Sequence, residues 1–317
     1  MKLIKPSFEI LEQLPGLEGL YKQIELAGRT CYKSEDKITE DSAKEFVDRM
    51  IKSGHGAMLE HGTVYLYYTH RSTVQNKGTI FPHWKYENNK YSKCNIISMQ
   101  GTDCFGNPAP TEFYITTNLR VLVENNWLDD LQYICEPTEF HEKRHTVKFI
   151  CDRGVSHEFV RHRVFSFAQE STRYCNYSKD KFGNEITCIL PPWLSEDDLP
   201  KGFGYTSDDW GSLICEFYYE TTEKGKSEGF TIEPVRNFVF ALQTSEQLYF
   251  SLLKEGWKAQ EARSVLPNAL KTELVMTGFE SDWKHFFELR CPGSAHPQAR
   301  ELAIPLQEKF KELKWVD

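Results

Sequence analysis

No run of 18 apolar residues occurs in this chain of 317 residues, so the sequence offers no membrane-spanning helix. Positive charge is in deficit. There are 38 lysines and arginines against 46 aspartates and glutamates, and the net charge is −8. That balance excludes the broad basic face used for non-specific nucleic-acid binding and leaves room only for a local cationic pocket. No Cys-x-x-Cys pair occurs among the nine cysteines. A zinc ribbon or a disulfide framework is therefore not expected, and reduced thiols in a cytoplasmic protein are. The Gly-x-Gly-x-x-Gly fingerprint, the P-loop and the Gly-x-Ser-x-Gly elbow are all missing. Their absence argues against a Rossmann cofactor site, an NTPase and an α/β-hydrolase. A signal peptide is not expected either, because Glu9 and Glu12 fall where it needs an apolar stretch.

What is present is the composition of a folded protein, 26% charged and 40% hydrophobic, with aromatics at 14%. Residues 41–52 place Phe46, Val47, Met50 and Ile51 on one helical face, with Asp41 and Ser42 as caps. TVYLYY and EFYITTN read as strands, and residues 119–134 as one helix. Residues 70–110 read as an irregular insertion with some strand, and Glu136 to Arg144 as a charged connector. Thr146 to Asp152 reads as a buried strand, Asp152 to His162 as a helix that Ser156 re-caps, and Phe167 to Asn176 as extended chain. The turn-rich stretch 177–235 is expected to decorate the core. Ser245 to Glu255 reads as a helix stopped by Gly256, and KAQEARSVL as a short helix ended by Pro267. LKTELVMTG reads as a strand, and SDWKHFFELR as a helix with Ser281 and Asp282 as N-caps. A last amphipathic helix runs from Pro297, with Pro305 as a kink.

The densest chemistry lies in RHRVFSFAQESTRY, residues 161–174. Three adjacent side chains cannot share one helix face, so Arg161, His162 and Arg163 must point into different surroundings. Arginine matches phosphate because its planar fork donates two parallel hydrogen bonds. Histidine donates or accepts near neutral pH. With Ser171, Thr172 and Arg173 the segment offers donors suited to a phosphorylated ligand; the plain alternative is a solvated turn. His157 and His162 lie five residues apart, not the four of His-Glu-x-x-His, so no metal is expected there. His55 reads as a loop histidine, His61 as a strand-entry histidine, and Glu60 as part of a structural hydrogen-bonding network. Arg263 and Arg290 interrupt apolar helical context, and an arginine buried there needs a polar or anionic partner, which a ligand can supply. Cys175 lacks a paired base and reads as a non-catalytic thiol.

Arg161-His162-Arg163, seven residues, then Ser171 resembles the signature of the flavin-dependent thymidylate synthases. SGHGAMLEH, EARSVLP and DWKHFFELRCPGSAHPQARELA resemble three further blocks of that family, in the right order. Together the four cover about a sixth of the chain. The resemblance implies an α/β (α+β) fold with a mixed sheet core flanked by helices. It implies one domain over residues 1–317, with insertions at about 69–140 and 177–235. It implies a homotetramer with active sites where subunits meet. The implied reaction methylates dUMP to dTMP, with methylenetetrahydrofolate as carbon donor and NADPH reducing bound FAD. No nucleic acid, membrane or metal enters. The alternative is a flavin- and nucleotide-binding homologue that lost turnover.

By resemblance, Arg161, His162 and Arg163 contact FAD, with His55 and Ala57 at the flavin edge. Arg161 also reaches dUMP. Gln169 borders both ligands. Ser171, Thr172 and Arg173 line the dUMP site, and Arg263 helps to hold the phosphate. Arg290 faces the uracil ring and favours its ionised form, and with Ser171 is a catalytic candidate. The chain also departs from the family. His285, on the flavin side, stands where an asparagine is usual, Ala168-Gln169 where Asn-Glu is common, Glu158, a dUMP contact, where a glutamine is common, and Phe279, near the flavin, where a polar residue is expected.

Overall fold

Hydrophobic period decides where most strands and helices fall in the computed structural model, which describes residues 1–70, 83–98, 110–179, 182–195 and 234–317. The strands are β1 (Lys2–Ile4), β2 (Ser7–Leu11), β3 (Thr63–His70), β4 (Lys93–Ser98), β5 (Thr111–Asn118), β6 (Arg144–Asp152), β7 (Ser166–Gln169), β8 (Thr187–Ile189) and β9 (Lys271–Phe279). The described chain clusters into two compact units. The first contains Met1–Ser7, Cys151–His157 and Ser171–Thr272; the second contains Phe8–Ile150, Glu158–Glu170 and Glu273–Asp317.

In the second unit the central sheet runs in the order β2-β6-β9-β7. Its strand β9 is buried along almost its whole length, as a strand covered on both faces must be. β7 pairs antiparallel with β9, Gln169 opposite Leu274. A three-stranded antiparallel sheet places β5 between β3 and β4. The helix Gly16–Tyr32 presents Leu20, Ile24 and Ala27 on one stripe and packs on the helix Ser42–Lys52 through Phe46 and Val47. Gly28 makes that approach possible, because a Cβ there would lie 2.5 Å from the Phe46 ring. The helix Glu280–Arg290 turns Trp283, Phe286 and Phe287 inward. Trp283 meets Phe165 edge-on at 4.7 Å and Phe310 of the helix Pro297–Glu312 at 5.3 Å.

In the first unit β1 pairs parallel with β8. Beneath them Cys175, Tyr177, Ile186, Leu242, Tyr249 and Leu270 form an apolar cluster. The long helix Pro234–Lys254 supplies Leu242 and Tyr249, and Glu246 from it pairs with the N-terminal ammonium at 2.9 Å.

The structure corrects several expected boundaries. Residues 119–134 are not one helix: Leu119–Glu124 is α-helical and Leu128–Tyr133 is a separate 3-10 turn. Asn126 between them has φ 58°, a left-handed backbone that an α-helix cannot contain. The helix expected from Asp152 to His162 spans only Arg153–Phe159. Asp152 caps it by accepting the Val155 N–H at 2.7 Å, while the Ser156 hydroxyl, inside the helix, donates back to Arg153 O. Extended chain stops at Gln169 rather than Asn176, because Ser171 O accepts from Tyr174 and Cys175 N–H in a turn. Ser281 and Asp282 lie inside their helix, and Asp282 caps it from the first turn by accepting the Phe279 N–H at 3.0 Å. Arg144 is no connector but the buried first residue of β6. The helix expected from Ser245 begins at Pro234, and the last helix continues through Pro305. Part of the 70–110 reading and most of 177–235 lie outside the described residues.

Candidate functional site

The second unit joins three of the sequence-predicted residues directly. Arg290 ends the helix Glu280–Arg290 and reaches back 128 residues to donate from Nε to His162 Nε2 at 3.0 Å. Its Nη1 donates to the Glu158 carboxylate and its Nη2 to the Glu158 carbonyl oxygen. The Arg290 side chain is 13% exposed and that of Glu158 is 36% exposed, so the carboxylate is the more open partner of a half-buried arginine. His162 is buried, and Phe286 flanks it at 5.1 Å.

That arrangement decides the state of the imidazole. Burial first, then the adjacent Arg290 and His285, lower the His162 pKa to about 4, with Glu158 opposing. The Arg290 Nε–H needs a lone pair on Nε2. His162 is therefore neutral at pH 7 and carries its proton on Nδ1.

The other members of the triplet differ. Arg161 and Arg163 are exposed, and among the described residues neither forms an ion pair. His162 thus lies buried between two exposed arginines, as expected of consecutive positions that cannot share one face. His285 is exposed, 6.3 Å ring to ring from His162, and its Nδ1 lies 3.4 Å from Glu288. His55 and Ala57 are exposed at the short helix Gly56–Leu59, and His55 Nε2 lies 3.5 Å from the Tyr32 hydroxyl. Gln169 is half-buried at the end of β7.

In the first unit, Thr172 is buried and Arg263 Nη1 donates to its hydroxyl at 3.3 Å. Ser171 is half-buried, and Arg173 is exposed with its guanidinium 5.4 Å from the Tyr174 ring. Cys175 is buried, in keeping with an unreactive thiol.

Sequence reasoning missed the polar centre of the second unit. Arg144 donates to Glu60 O, to the Thr63 hydroxyl and to the Ser166 hydroxyl at 3.1–3.3 Å. Burial lowers its pKa to about 10. His61, fully buried, shares 2.8 Å with Thr277 Oγ1, which in turn meets Thr146 Oγ1 at 2.8 Å. Burial and the nearby Arg144 lower the His61 pKa to about 3. The available signal was an arginine opening an apolar strand. A cavity of about 270 Å³ beside Arg144, Tyr65 and Trp315 is lined by none of the sequence-predicted residues.

A neutral histidine, a carboxylate and a half-buried guanidinium, with exposed arginines on either side of the histidine in sequence, offer the donors and acceptor that an anionic, hydrogen-bonding ligand needs. The chain belongs to the thymidylate synthase complementing protein family, whose profile matches residues 136–314. A flavin-dependent thymidylate synthase of Corynebacterium diphtheriae is 26% identical over 234 residues, 72% of this chain and 79% of its own length. Those of Corynebacterium aurimucosum and Mycobacterium avium are 29% and 31% identical over 160 and 162 residues, 50% and 51% of this chain. In both cases the match spans 54% of the relative, about half its length. A solved structure of a UMP/dUMP methylase from Streptomyces cacaoi aligns over 99% of this chain and 93% of its own at 15% identity. The TM-score of that alignment is 0.39. No helix of the described residues is long and apolar enough to cross a membrane.

Proposed function

We propose that this chain is a flavin-dependent thymidylate synthase that converts dUMP to dTMP. Methylenetetrahydrofolate is the carbon donor and NADPH the reductant of bound FAD. The observation that carries the reading is the Arg290–Glu158–His162 cluster, which ties the C-terminal family block to the Arg-His-Arg signature through three hydrogen bonds. The donor set suits FAD. Arg161 and Arg163 hold exposed guanidinia with no internal carboxylate among the described residues, which is the chemistry a diphosphate requires. His162, His55, Ala57, Gln169 and His285 complete that set. When bound, FAD supplies the hydride for the pyrimidine.

The chain's own residues bind and orient dUMP. Arg263, whose Nη1 donates to Thr172, helps to hold the phosphate, and Thr172 and Arg173 line the site. Arg290 donates to the ring carbonyl oxygens, and Glu158 lies beside it. Ser171 stands at the reacting ring, and Arg161 and Gln169 border both ligands. The reading includes one family domain with insertions at about 69–140 and 177–235, a cytoplasmic location, and a homotetramer with sites at subunit interfaces. Exposed His55, Arg161 and Arg163 fit a site that a neighbouring subunit completes.

The test is dTMP formation from dUMP, methylenetetrahydrofolate and NADPH, with FAD supplied or withheld. FAD-dependent dTMP is expected. A folded protein that binds FAD yet forms no dTMP would move the assignment to a binding homologue, with Gln169 as the first suspect.

A further inference from the structure

A guanidinium carries five N–H donors. Arg290 spends Nε on His162, one Nη1–H on the Glu158 carboxylate and one Nη2–H on the Glu158 carbonyl oxygen. One N–H on each terminal nitrogen remains, and Glu158 Oε2 takes the bond on the carboxylate, leaving Oε1 for a ligand. Glu158 is the more exposed partner, and its carboxylate lies against the guanidinium, so a donor and an acceptor stand side by side in the pair. Its two charges cancel. An isolated guanidinium favours an ionised ring, whereas a carboxylate in contact with the same ring opposes a second negative charge. Among the described residues His162 accepts from Arg290 and His285 lies 6.3 Å from His162, and neither replaces that carboxylate.

We infer that Glu158 accepts the N3–H of the pyrimidine while Arg290 donates to the adjacent carbonyl oxygen, so the ring binds as its neutral imide. The inference rests on the dUMP reading above and reverses the expectation that Arg290 alone ionises the ring. It makes Glu158 a specificity residue that selects rings with an N–H beside a C=O.

Two measurements on the full chain test it. The first follows bound 5-fluoro-dUMP by fluorine NMR as pH rises. In the wild type the bound ring should stay neutral at and above the pH where the free nucleotide ionises, and in Glu158→Gln it should ionise at lower pH. The second compares dUMP with N3-methyl-dUMP on the wild type alone. The methylated ring should bind at least ~100-fold more weakly, since it leaves the carboxylate without its donor. A bound ring already ionised at pH 7, an unchanged ionisation in Glu158→Gln, or equal binding of the two nucleotides would each overturn the inference while leaving the dUMP reading intact. A wild-type chain that binds no dUMP would overturn both.

Discussion

Lowering the pH from 7 to 5 should destabilise this protein, and two histidines set the size of the effect. An unfolded histidine takes up its proton near pH 6.5. Folded His61 and His162 stay neutral down to about 3 and about 4, because burial and a neighbouring arginine penalise their charged forms. Between those values the unfolded chain binds more protons than the folded one, so stability falls as pH falls. The contribution is complete above pH 6.5. Each site loses about 1.4 kcal/mol per pH unit below it, until His162 stops near pH 4 and His61 near pH 3. At pH 5 the two together amount to about 4 kcal/mol, a large share of a typical stability of 5–15 kcal/mol. Buried His141, also shifted downward by burial, adds in the same direction. The assay is urea unfolding followed by circular dichroism at pH 7 and pH 5. His61→Gln should remove about half of the pH-dependent loss. Equal stability of the wild type at the two pH values would refute the assignment of both histidines as buried and neutral.

Arg290→Ala removes the donors proposed for the ring, and kcat should fall ~10²-fold or more, the scale of a lost transition-state donor; near-normal kcat in steady-state assays would take Arg290 out of the mechanism. Arg263→Ala should raise the KM for dUMP with a smaller effect on kcat, and an unchanged KM would contradict its phosphate role. Gly278→Ala should cost about 1–3 kcal/mol by overpacking, because the added Cβ would lie 2.5 Å from the Phe165 ring; a wild-type unfolding midpoint would show that Phe165 yields freely.

Local pattern alone determined a good deal. The one-sided apolar faces of residues 42–52 and 297–312, and the β-branched and aromatic runs of β3, β5, β6 and β9, needed no partner to be read. The Arg-His-Arg spacing carried the family only together with the three further blocks in the right order, since a basic triplet alone is common. Boundaries failed where a single residue's backbone overrode the period, as at Asn126, or where a cap sat one turn from its expected place, as at Asp282.

Only tertiary structure decided which charges meet. Arg290 and Glu158 are 132 residues apart, and nothing local to either says that one guanidinium binds both a carboxylate and a histidine lone pair. Arg144 and His61 looked like the end of a charged connector and a strand-entry residue, yet the fold buries both beside β9. Their protonation states follow from desolvation and from neighbours distant in sequence, and both of those exist only once the strands and helices have packed.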